Sequence, residues 1–182
     1  MRMQHRDERP SVPMRDICHD VRMAELELFD RRVASTVAGW AGTAHESMLW
    51  CSLPEVTADV VDGWSRRQDV EAFVLRETGH VVAYGEIWID VDEREVELAH
   101  LIVDPERRGQ GLGGRLIDEL VRQAQRHYPV IALRVHSRNE TAVRCYVRAG
   151  FERASETDTT AWNVGQPVDY VWMTRRVPLP ST

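Results

Sequence analysis

A glycine-rich turn between an apolar run and an amphipathic segment is the part of this sequence best suited to chemistry. The apolar run, 98–103, ends at Asp104-Pro105, and the next residues read ERRGQGLGGRL (106–116). Glycines let the backbone approach a ligand closely and adopt positive φ, so that consecutive N–H groups can point at one anion. A helix that begins directly afterwards adds free N–H donors and the positive end of its dipole. The stretch therefore predicts a binding site for a cofactor that carries a pyrophosphate.

Other kinds of glycine turn share parts of this pattern. The spacing Gly109-x-Gly111-x-x-Gly114 matches the dinucleotide-binding fingerprint, which expects an acidic residue at the end of the next strand, about 20 residues on. Here the next strand ends in His136-Ser137-Arg138, so this alternative is reduced to an NADP site that uses Arg138. A Walker A loop is excluded because Gly-Lys-Ser/Thr is absent. An ordinary strand-to-helix loop is the remaining alternative.

Composition and charge narrow the class of protein. With 182 residues, of which 43% are hydrophobic and 29% charged, the chain has the profile of one soluble globular domain. Its formal net charge of −6 argues against a general nucleic-acid binder and favours amine-bearing partners. The three cysteines (Cys18, Cys51 and Cys145) include no CxxC pair, and no histidine spacing indicates a metal site. With neither a signal peptide nor a bilayer-length apolar run, these features predict a cytoplasmic protein without metal or membrane partners.

Hydrophobic periodicity divides the chain into the elements that must position the turn. Residues 1–22 are charged and contain prolines, which predicts a flexible extension before a single domain, 23–177, and a short tail, 178–182. The domain begins with a strand and a capped helix. We expect an irregular apolar segment at 49–54 and a second helix that starts at Thr57.

The second half of the domain predicts a sheet. Three strands near 71–76, 81–90 and 96–103 are joined by turns too short for helical crossovers, so they should be antiparallel. The helix after the glycine turn leads to a strand at 130–135, which should therefore pair in parallel. The remaining chain predicts a helix capped by Asn139 and ended by Gly150, a polar loop at 155–166 and a last strand at 168–176. The predicted fold class is α+β, a mixed sheet with helices packed on it.

Several motifs in this order resemble the GNAT superfamily of N-acetyltransferases, which use acetyl-CoA. The motifs are Val103-Asp104-Pro105, then Arg108-x-x-Gly111-x-Gly113, then Asn139…Tyr146…Ala149-Gly150-Phe151. They cover residues 71–152, and the predicted order of elements extends the match over most of 23–176. The resemblance implies a central, mostly antiparallel sheet with one splayed parallel pair and flanking helices.

The resemblance also implies roles for individual residues. The turn wraps the CoA pyrophosphate with backbone amides, and the end of the preceding strand offers backbone groups to the pantetheine arm. Asn139 lies near the cofactor, Tyr146 lies near the thioester sulfur and protonates it, and Glu97 is a base acting through water. The implied cofactor-binding set is Leu101, Ile102, Val103, Arg108, Gly109, Gln110, Gly111, Leu112, Gly113, Gly114, Asn139 and Tyr146.

Each catalytic candidate has a structural alternative. Glu97 can be a solvated strand residue, and Tyr146 a core tyrosine with its hydroxyl at the rim. Strand parity places His100 on the face opposite Glu97, which favours a structural role for it. Cys145 is expected to pack as a small hydrophobe.

The acceptor is expected to be a primary amine of a small molecule or peptide, attacked directly in a ternary complex by a monomer or homodimer. Of the six tryptophans, Trp50 and Trp162 lie in segments without periodicity, so they are expected to line the acceptor pocket together with Asn163 and Gln166. Two functions of other classes stay open at this point: a non-catalytic acyl-CoA-binding or sensing module, and an NADP-binding protein.

Overall fold

The computed structural model describes residues 24–178. The predicted extension at 1–22, Cys18 and almost all of the predicted tail at 178–182 lie outside the described residues. Within residues 24–178, no helix has both the length and the apolar composition needed to cross a membrane.

Seven described strands form one mixed sheet in the order β1-β2-β3-β4-β5-β7-β6. The pairs are antiparallel except β4 with β5, which is parallel. The predicted meander, the parallel pair and the α+β class are therefore confirmed. The strands are β1 (Glu25–Leu28), β2 (Val70–Glu77), β3 (His80–Asp90), β4 (Glu95–Val103), β5 (Val130–His136), β6 (Glu152–Arg153) and β7 (Tyr170–Arg176).

Six described α-helices flank the sheet. Two short 3-10 turns, Arg31–Val33 and Pro105–Arg107, precede α1 and the glycine turn. The helices are α1 (Ala34–Gly39), α2 (Ala44–Cys51), α3 (Ala58–Ser65), α4 (Leu112–Ala124), α5 (Glu140–Arg148) and α6 (Glu156–Trp162).

Two predictions about irregular segments are wrong. The first half of the segment at 49–54 belongs to α2, which ends at Cys51, and the polar loop at 155–166 contains α6. Each helix is started by a hydroxyl cap, because Thr43 accepts from the N–H of Glu46 and Ser155 accepts from the N–H of Asp158. Such caps satisfy backbone donors that a helix start leaves open, so they initiate helices too short to show a clear apolar stripe.

Hydrophobic side chains cover both faces of the sheet. On one face, α4 buries the stripe Leu112, Leu116, Ile117, Leu120, Val121 and Ala124 against the sheet. On the other face, α1 and α3 pack on β2 and β3 around Val37, Val61, Val74 and Tyr84. The helices of the second face cover the β2–β4 half of the sheet, and the polar residues described below lie at the edge of that cover.

The parallel pair opens part-way along its length. Residues Glu95–Leu98 of β4 pair with Val130–Leu133 of β5, whereas residues 99–103 of β4 have no register partner on β5. The two strands therefore separate at the level where β4 approaches the glycine turn.

Candidate active site

The glycine turn has the backbone conformation that its sequence predicts. Gly109 and Gly111 have φ values of 77° and 82°, which lie in the left-handed region that glycine enters without steric cost. Gly111 is the N-cap of α4 and provides no side-chain acceptor for the first N–H groups of the helix. A Cβ at Gly109, Gly111 or Gly114 would meet no atom within 4 Å. Open space above uncapped helix donors fits a pyrophosphate.

The side chains of the two arginines in the turn bind other residues of the protein. Arg107 contacts Glu77 and donates from Nε to Gln110 Oε1 over 3.2 Å. Arg108 donates to the Val103 carbonyl over 3.2 Å and to Glu46 Oε1 over 3.0 Å. Their guanidinium groups therefore tie the turn to β2, β4 and α2, and they leave backbone amides as the principal anion donors of the turn.

Close packing fixes the helix that follows the turn. Gly85 lies in β3 under α4, and a Cβ there would come within 2.7 Å of Leu120 Cδ1. The absence of a side chain at Gly85 therefore allows α4 to approach the sheet closely. A glycine inside a strand is typical of a bulge or of a close backbone approach, and both are found here, because the register of β3 with β4 also shifts at this position.

That register shift reverses the predicted orientation of His100. Tyr84 pairs with Ile102 and Glu86 pairs with Ala99, so two residues of β4 lie opposite Gly85 alone. His100, in this bulge, has a φ of 52°. The side chain consequently reaches Glu86 and Trp88, which share a face with Glu97 through the ladder pairs Glu86–Ala99 and Trp88–Glu97. The placement of His100 opposite Glu97 is therefore wrong, because strand parity fails across a bulge.

Glu97 lies on β4 directly before the parallel pair separates. Its side chain is 19% exposed, and Arg134 Nε lies 3.1 Å from its Oε1. The N–H of Arg134 does not point at that oxygen, which has no aligned hydrogen bond. Burial raises the pKa of Glu97 to about 7, and the charge of Glu95 acts in the same direction, while Arg134 and Arg67 oppose the shift. A carboxylate with a pKa near neutrality can accept a proton and release it again at physiological pH.

Arg134 holds the position beside Glu97 and was not predicted from the sequence. Its guanidinium lies 5.4 Å from the ring centres of Trp88 and Trp172 and 5.6 Å from that of Tyr170. Its Nη1 donates to Gln166 Oε1 over 3.4 Å. The aromatic rings and the amide keep the arginine in place, and the arginine in turn orients the carboxylate of Glu97.

A cavity of about 350 Å³ opens next to Glu97. Its wall carries five carboxyl groups and one guanidinium, together with Trp88. Burial raises the pKa of Glu95, and the nearby charges of Asp90 and Glu93 add to the shift. The repulsion among these acids is a cost that a bound cation would relieve. The charged residues of the cavity are Arg67, Asp69, Asp90, Asp92, Glu95 and Glu97.

Tyr146 lies in α5 on the α4 side of the sheet. It is 9% exposed and packs edge-to-face on Phe151 with ring centres 6.2 Å apart. Burial, with a smaller contribution from Cys145, raises the pKa of its phenol well above the ordinary value. The hydroxyl therefore stays protonated and acts as a donor over the whole working pH range.

Asn139 begins the same helix. Its Oδ1 accepts from the N–H of Ala142 over 3.2 Å, and Gly150 ends the helix with a φ of 82°. Both predicted caps of α5 are confirmed.

The expected acceptor-pocket residues fall into two groups. Trp50 contacts Trp64 edge-on at 5.6 Å and His100 at 6.4 Å, and it is not among the residues that line the cavity beside Glu97. Trp162 packs on Trp172 at 5.3 Å. Asn163 receives hydrogen bonds from the Tyr170 N–H and the Trp172 indole and donates to the Tyr170 carbonyl. It therefore pins the end of α6 to β7, and its amide has little capacity left for a ligand.

The conformation of the glycine turn and the order of the strands agree with the family that the sequence resembles. The chain matches the acetyltransferase (GNAT) family over residues 26–151. It therefore belongs to this family.

Relatives in sequence cover part of the chain. An uncharacterised N-acetyltransferase of Methanocaldococcus jannaschii is 33% identical over 49% of this chain and 42% of its own length. A mycothiol acetyltransferase of Kytococcus sedentarius is 35% identical over 56% of this chain and 34% of its own length. The chain thus spans less than half the length of each of these relatives.

Solved structures share the fold over nearly the whole described chain. A spermidine N-acetyltransferase of Vibrio cholerae, in complex with CoA and spermine, superposes with a TM-score of 0.68 at 18% identity, covering 84% of this chain and 95% of that one. An aminoglycoside acetyltransferase in complex with coenzyme A has a TM-score of 0.68 at 20% identity, covering 85% and 95%.

Proposed function

We propose that this protein is an acetyl-CoA-dependent N-acetyltransferase that acts on a primary amine. The observation that carries the proposal is Glu97, a half-buried carboxylate with a pKa raised to about 7 at the edge of an acidic cavity. It lies on the strand that leads into the glycine turn. Transfer of an acetyl group from a thioester to an amine requires a site that holds the cofactor and a base that works at neutral pH. Here β4 carries the base and leads into the turn that binds the anion.

The cofactor supplies the acetyl group as an activated thioester. Within the chain, the amides of the turn and of the first turn of α4 hold the pyrophosphate. The backbone of Leu101, Ile102 and Val103, freed from pairing with β5, is available to the pantetheine arm and to the acetyl carbonyl. A backbone N–H here would stabilise the oxyanion that forms during attack.

Glu97 removes the proton that blocks attack. A primary amine has a pKa of about 10.4 and is mostly protonated at neutral pH, so its lone pair must be released first. Arg134 keeps the carboxylate in one orientation, and burial keeps its pKa high enough for it to act as a base of useful strength. A direct contact or one intervening water is compatible with this role.

Tyr146 is assigned to the departing thiolate, and Tyr146→Phe tests this role. A thiol has a pKa of about 8.5, so a phenol of higher pKa assists the departing sulfur by donating a hydrogen bond. We expect kcat to fall by about 100-fold, with CoA affinity and the melting temperature unchanged, because the ring contact with Phe151 is retained. Tyr128→Phe removes a phenol from the same hydrophobic cluster and should have no effect on kcat. Equal kcat in the two variants would contradict the role of Tyr146.

The acidic cavity indicates the class of acceptor. A polyamine or another amine with a second positive charge would place that charge among the carboxyl groups beside Glu97. Two proteins of the same fold were crystallised with such molecules, one with spermine and one with kanamycin. The acidic wall of this cavity supports a similar preference here.

A thiol-release assay over a panel of amines tests the proposed function. The panel contains polyamines, aminoglycosides, amino acids and peptides with free N-termini, and it includes 1,4-diaminobutane beside n-butylamine as a matched pair. We expect turnover, with a KM at least about tenfold lower for the diamine, which corresponds to about 1.4 kcal/mol. A protein that binds acetyl-CoA but releases no thiol with any amine would instead be a non-catalytic CoA-binding module. Stabilisation by NADPH and not by CoA in a thermal shift assay would favour the dinucleotide alternative.

A further inference from the structure

Three buried polar atoms on one face of the sheet lack a hydrogen-bond partner. Among the described residues, the buried side-chain nitrogen and oxygen atoms without a partner are Trp50 Nε1, Glu97 Oε1 and His100 Nδ1. Trp50 and His100 are in ring contact, and Trp88 joins His100 to Glu97 through its ring and its ladder pairing. Such orphan atoms are rare in native interiors. The Glu97 and His100 atoms each lie 3.1 Å from a charged partner, Arg134 Nε and Glu86 Oε2, without an aligned hydrogen bond, and both residues lie on one face of the sheet.

His100 is held firmly within this group. Its ring stacks on Trp64 at 3.8 Å with the planes 25° apart, and Trp88 packs against it edge-on at 5.2 Å. The side chain is 13% exposed. The left-handed backbone of the bulge, φ 52°, is uncommon for a residue other than glycine and is the feature that turns the ring toward Glu97's face.

A buried carboxylate lies behind the imidazole. Glu86 is fully buried and accepts hydrogen bonds from the hydroxyl of Tyr84 and from Trp88 Nε1, the latter over 2.6 Å. Its Oε2 lies 3.1 Å from His100 Nδ1. Among the residues that the structure describes, His100 is the one cation-forming side chain within ion-pair distance of Glu86. A buried carboxylate is costly without such a partner, so Glu86 fixes the Nδ1 edge of the imidazole and leaves Nε2 as its proton acceptor.

Five groups make up the electrostatic surroundings of His100. Tyr84 and Glu86 face it from β3, and Glu97 shares its strand. From α2, the thiol of Cys51 is neutral, because burial and, to a smaller extent, the charge of Glu86 raise its pKa to about 11. The helix α3 contributes the uncharged ring of Trp64. Among the residues that the structure describes, the imidazole of His100 thus meets one carboxylate at ion-pair distance, that of Glu86.

We propose that His100 is a second proton-accepting catalytic residue of the transfer, and that Glu86 is its positioning and charge-balancing partner. This inference rests on the proposed function. An ammonium acceptor must lose two protons to become an amide: one before attack and one from the nitrogen after the C–N bond forms. Glu97 takes the first and His100 the second. The C–S bond breaks with its electron pair on sulfur, which ends as the thiol with one proton, and the other proton is released to water.

The backbone conformation at His100 dictates the choice of variants. Asparagine and glycine tolerate a left-handed φ, so His100→Asn and His100→Gly preserve the bulge. His100→Gly also leaves a space between Trp64 and Trp88 shaped like the lost ring. We expect both variants to lower kcat by about 100-fold, with CoA affinity and melting temperature retained. Added imidazole should restore at least about tenfold in His100→Gly and nothing in His100→Asn, whose side chain fills the space.

The pH profile of kcat distinguishes a catalytic role of His100 from a purely structural one. We expect the acid limb of kcat to contain two ionisations in the wild type and one in His100→Asn. Glu86→Gln should lower kcat and shift the same ionisation without changing the KM of the amine. Thr78→Gly is the matched backbone control, because Thr78 has a φ of 49° in the β2–β3 turn, and it should leave kcat unchanged.

Two outcomes overturn the inference in distinguishable ways. Folded His100→Asn with a kcat within threefold of the wild type, or His100→Gly that imidazole does not restore, removes His100 from the reaction and leaves the proposed function intact. Wild-type protein that binds acetyl-CoA and acetylates no amine removes the proposed function and this inference together.

Discussion

Gly111→Glu should lower the affinity for CoA by at least about 100-fold while the domain stays folded. A Cβ at Gly111 meets no atom within 4 Å, so the new side chain enters the open space above the α4 N-terminus. The new carboxylate and the pyrophosphate of CoA carry like charges, which repel by ~4 kcal/mol at ~4 Å and an effective dielectric constant of ~20. Because the glutamate side chain can move away, the expected loss of affinity is smaller than this repulsion. Titration calorimetry with CoA measures the effect directly.

The conformational cost of the substitution needs its own control. Gly111 has a φ of 82°, and any other residue there adds strain of about 1–2 kcal/mol. Gly79→Glu is matched, since Gly79 has a φ of 83° and open space in the β2–β3 turn. Both variants should melt at similarly reduced temperatures, and Gly111→Glu alone should lose CoA. Equal CoA affinity in the two variants would place the cofactor elsewhere than at this turn.

Features that depend on neighbouring residues were predictable from the sequence. Gly109 and Gly111 in the left-handed region, the buried stripe of α4, and the caps Asn139 and Gly150 are each specified within a few residues of chain. The parallel pairing followed from the length of the crossover alone. These features include the glycine turn, which is the part of the site that residue type and spacing describe best.

Features that depend on register were not predictable in the same way. The position of Arg134 beside Glu97 requires the β4–β5 register, in which Ala132 pairs with Glu97. A charged residue inside a buried strand was the available signal for it. His100 was assigned to the wrong face because a bulge changes parity, and Gly85 marked the bulge without showing which strand carried the extra residue. The short helices α2 and α6 were not predicted, because their hydroxyl N-caps, Thr43 and Ser155, are the main signal for them in the sequence.

Glu97→Gln should abolish most activity and stabilise the fold at alkaline pH. Removing a general base lowers kcat by about 10²–10⁴-fold. The stability effect follows from the pKa, which burial raises from 4.5 to about 7. Between these values the folded protein retains a proton that the unfolded chain has lost, so stability falls as pH rises through this window. The penalty is complete above pH 7 and amounts to about 3 kcal/mol at most.

Glutamine carries no charge, so the variant escapes this penalty. Its melting temperature should match that of the wild type near pH 4 and exceed it by several degrees at pH 8. In the wild type, kcat at saturating amine should decrease at least about tenfold from pH 8 to pH 6, because a base with a pKa near 7 becomes protonated over this range.

If Glu97 is a base, Glu97→Gln lowers kcat and raises stability at alkaline pH. If Glu97 is a solvated strand residue, the substitution changes neither by much. Glu27→Gln represents the second case, because Glu27 is an exposed β1 residue that pairs with Arg76. It should change kcat little and stability by less than about 1 kcal/mol at any pH. If Glu97→Gln behaved in the same way, Glu97 would be a solvated strand residue, and the proton would have to pass to His100 alone. Loss of kcat together with a pH-dependent gain in melting temperature identifies a carboxylate that is kept buried, at a cost to stability, because the reaction uses it.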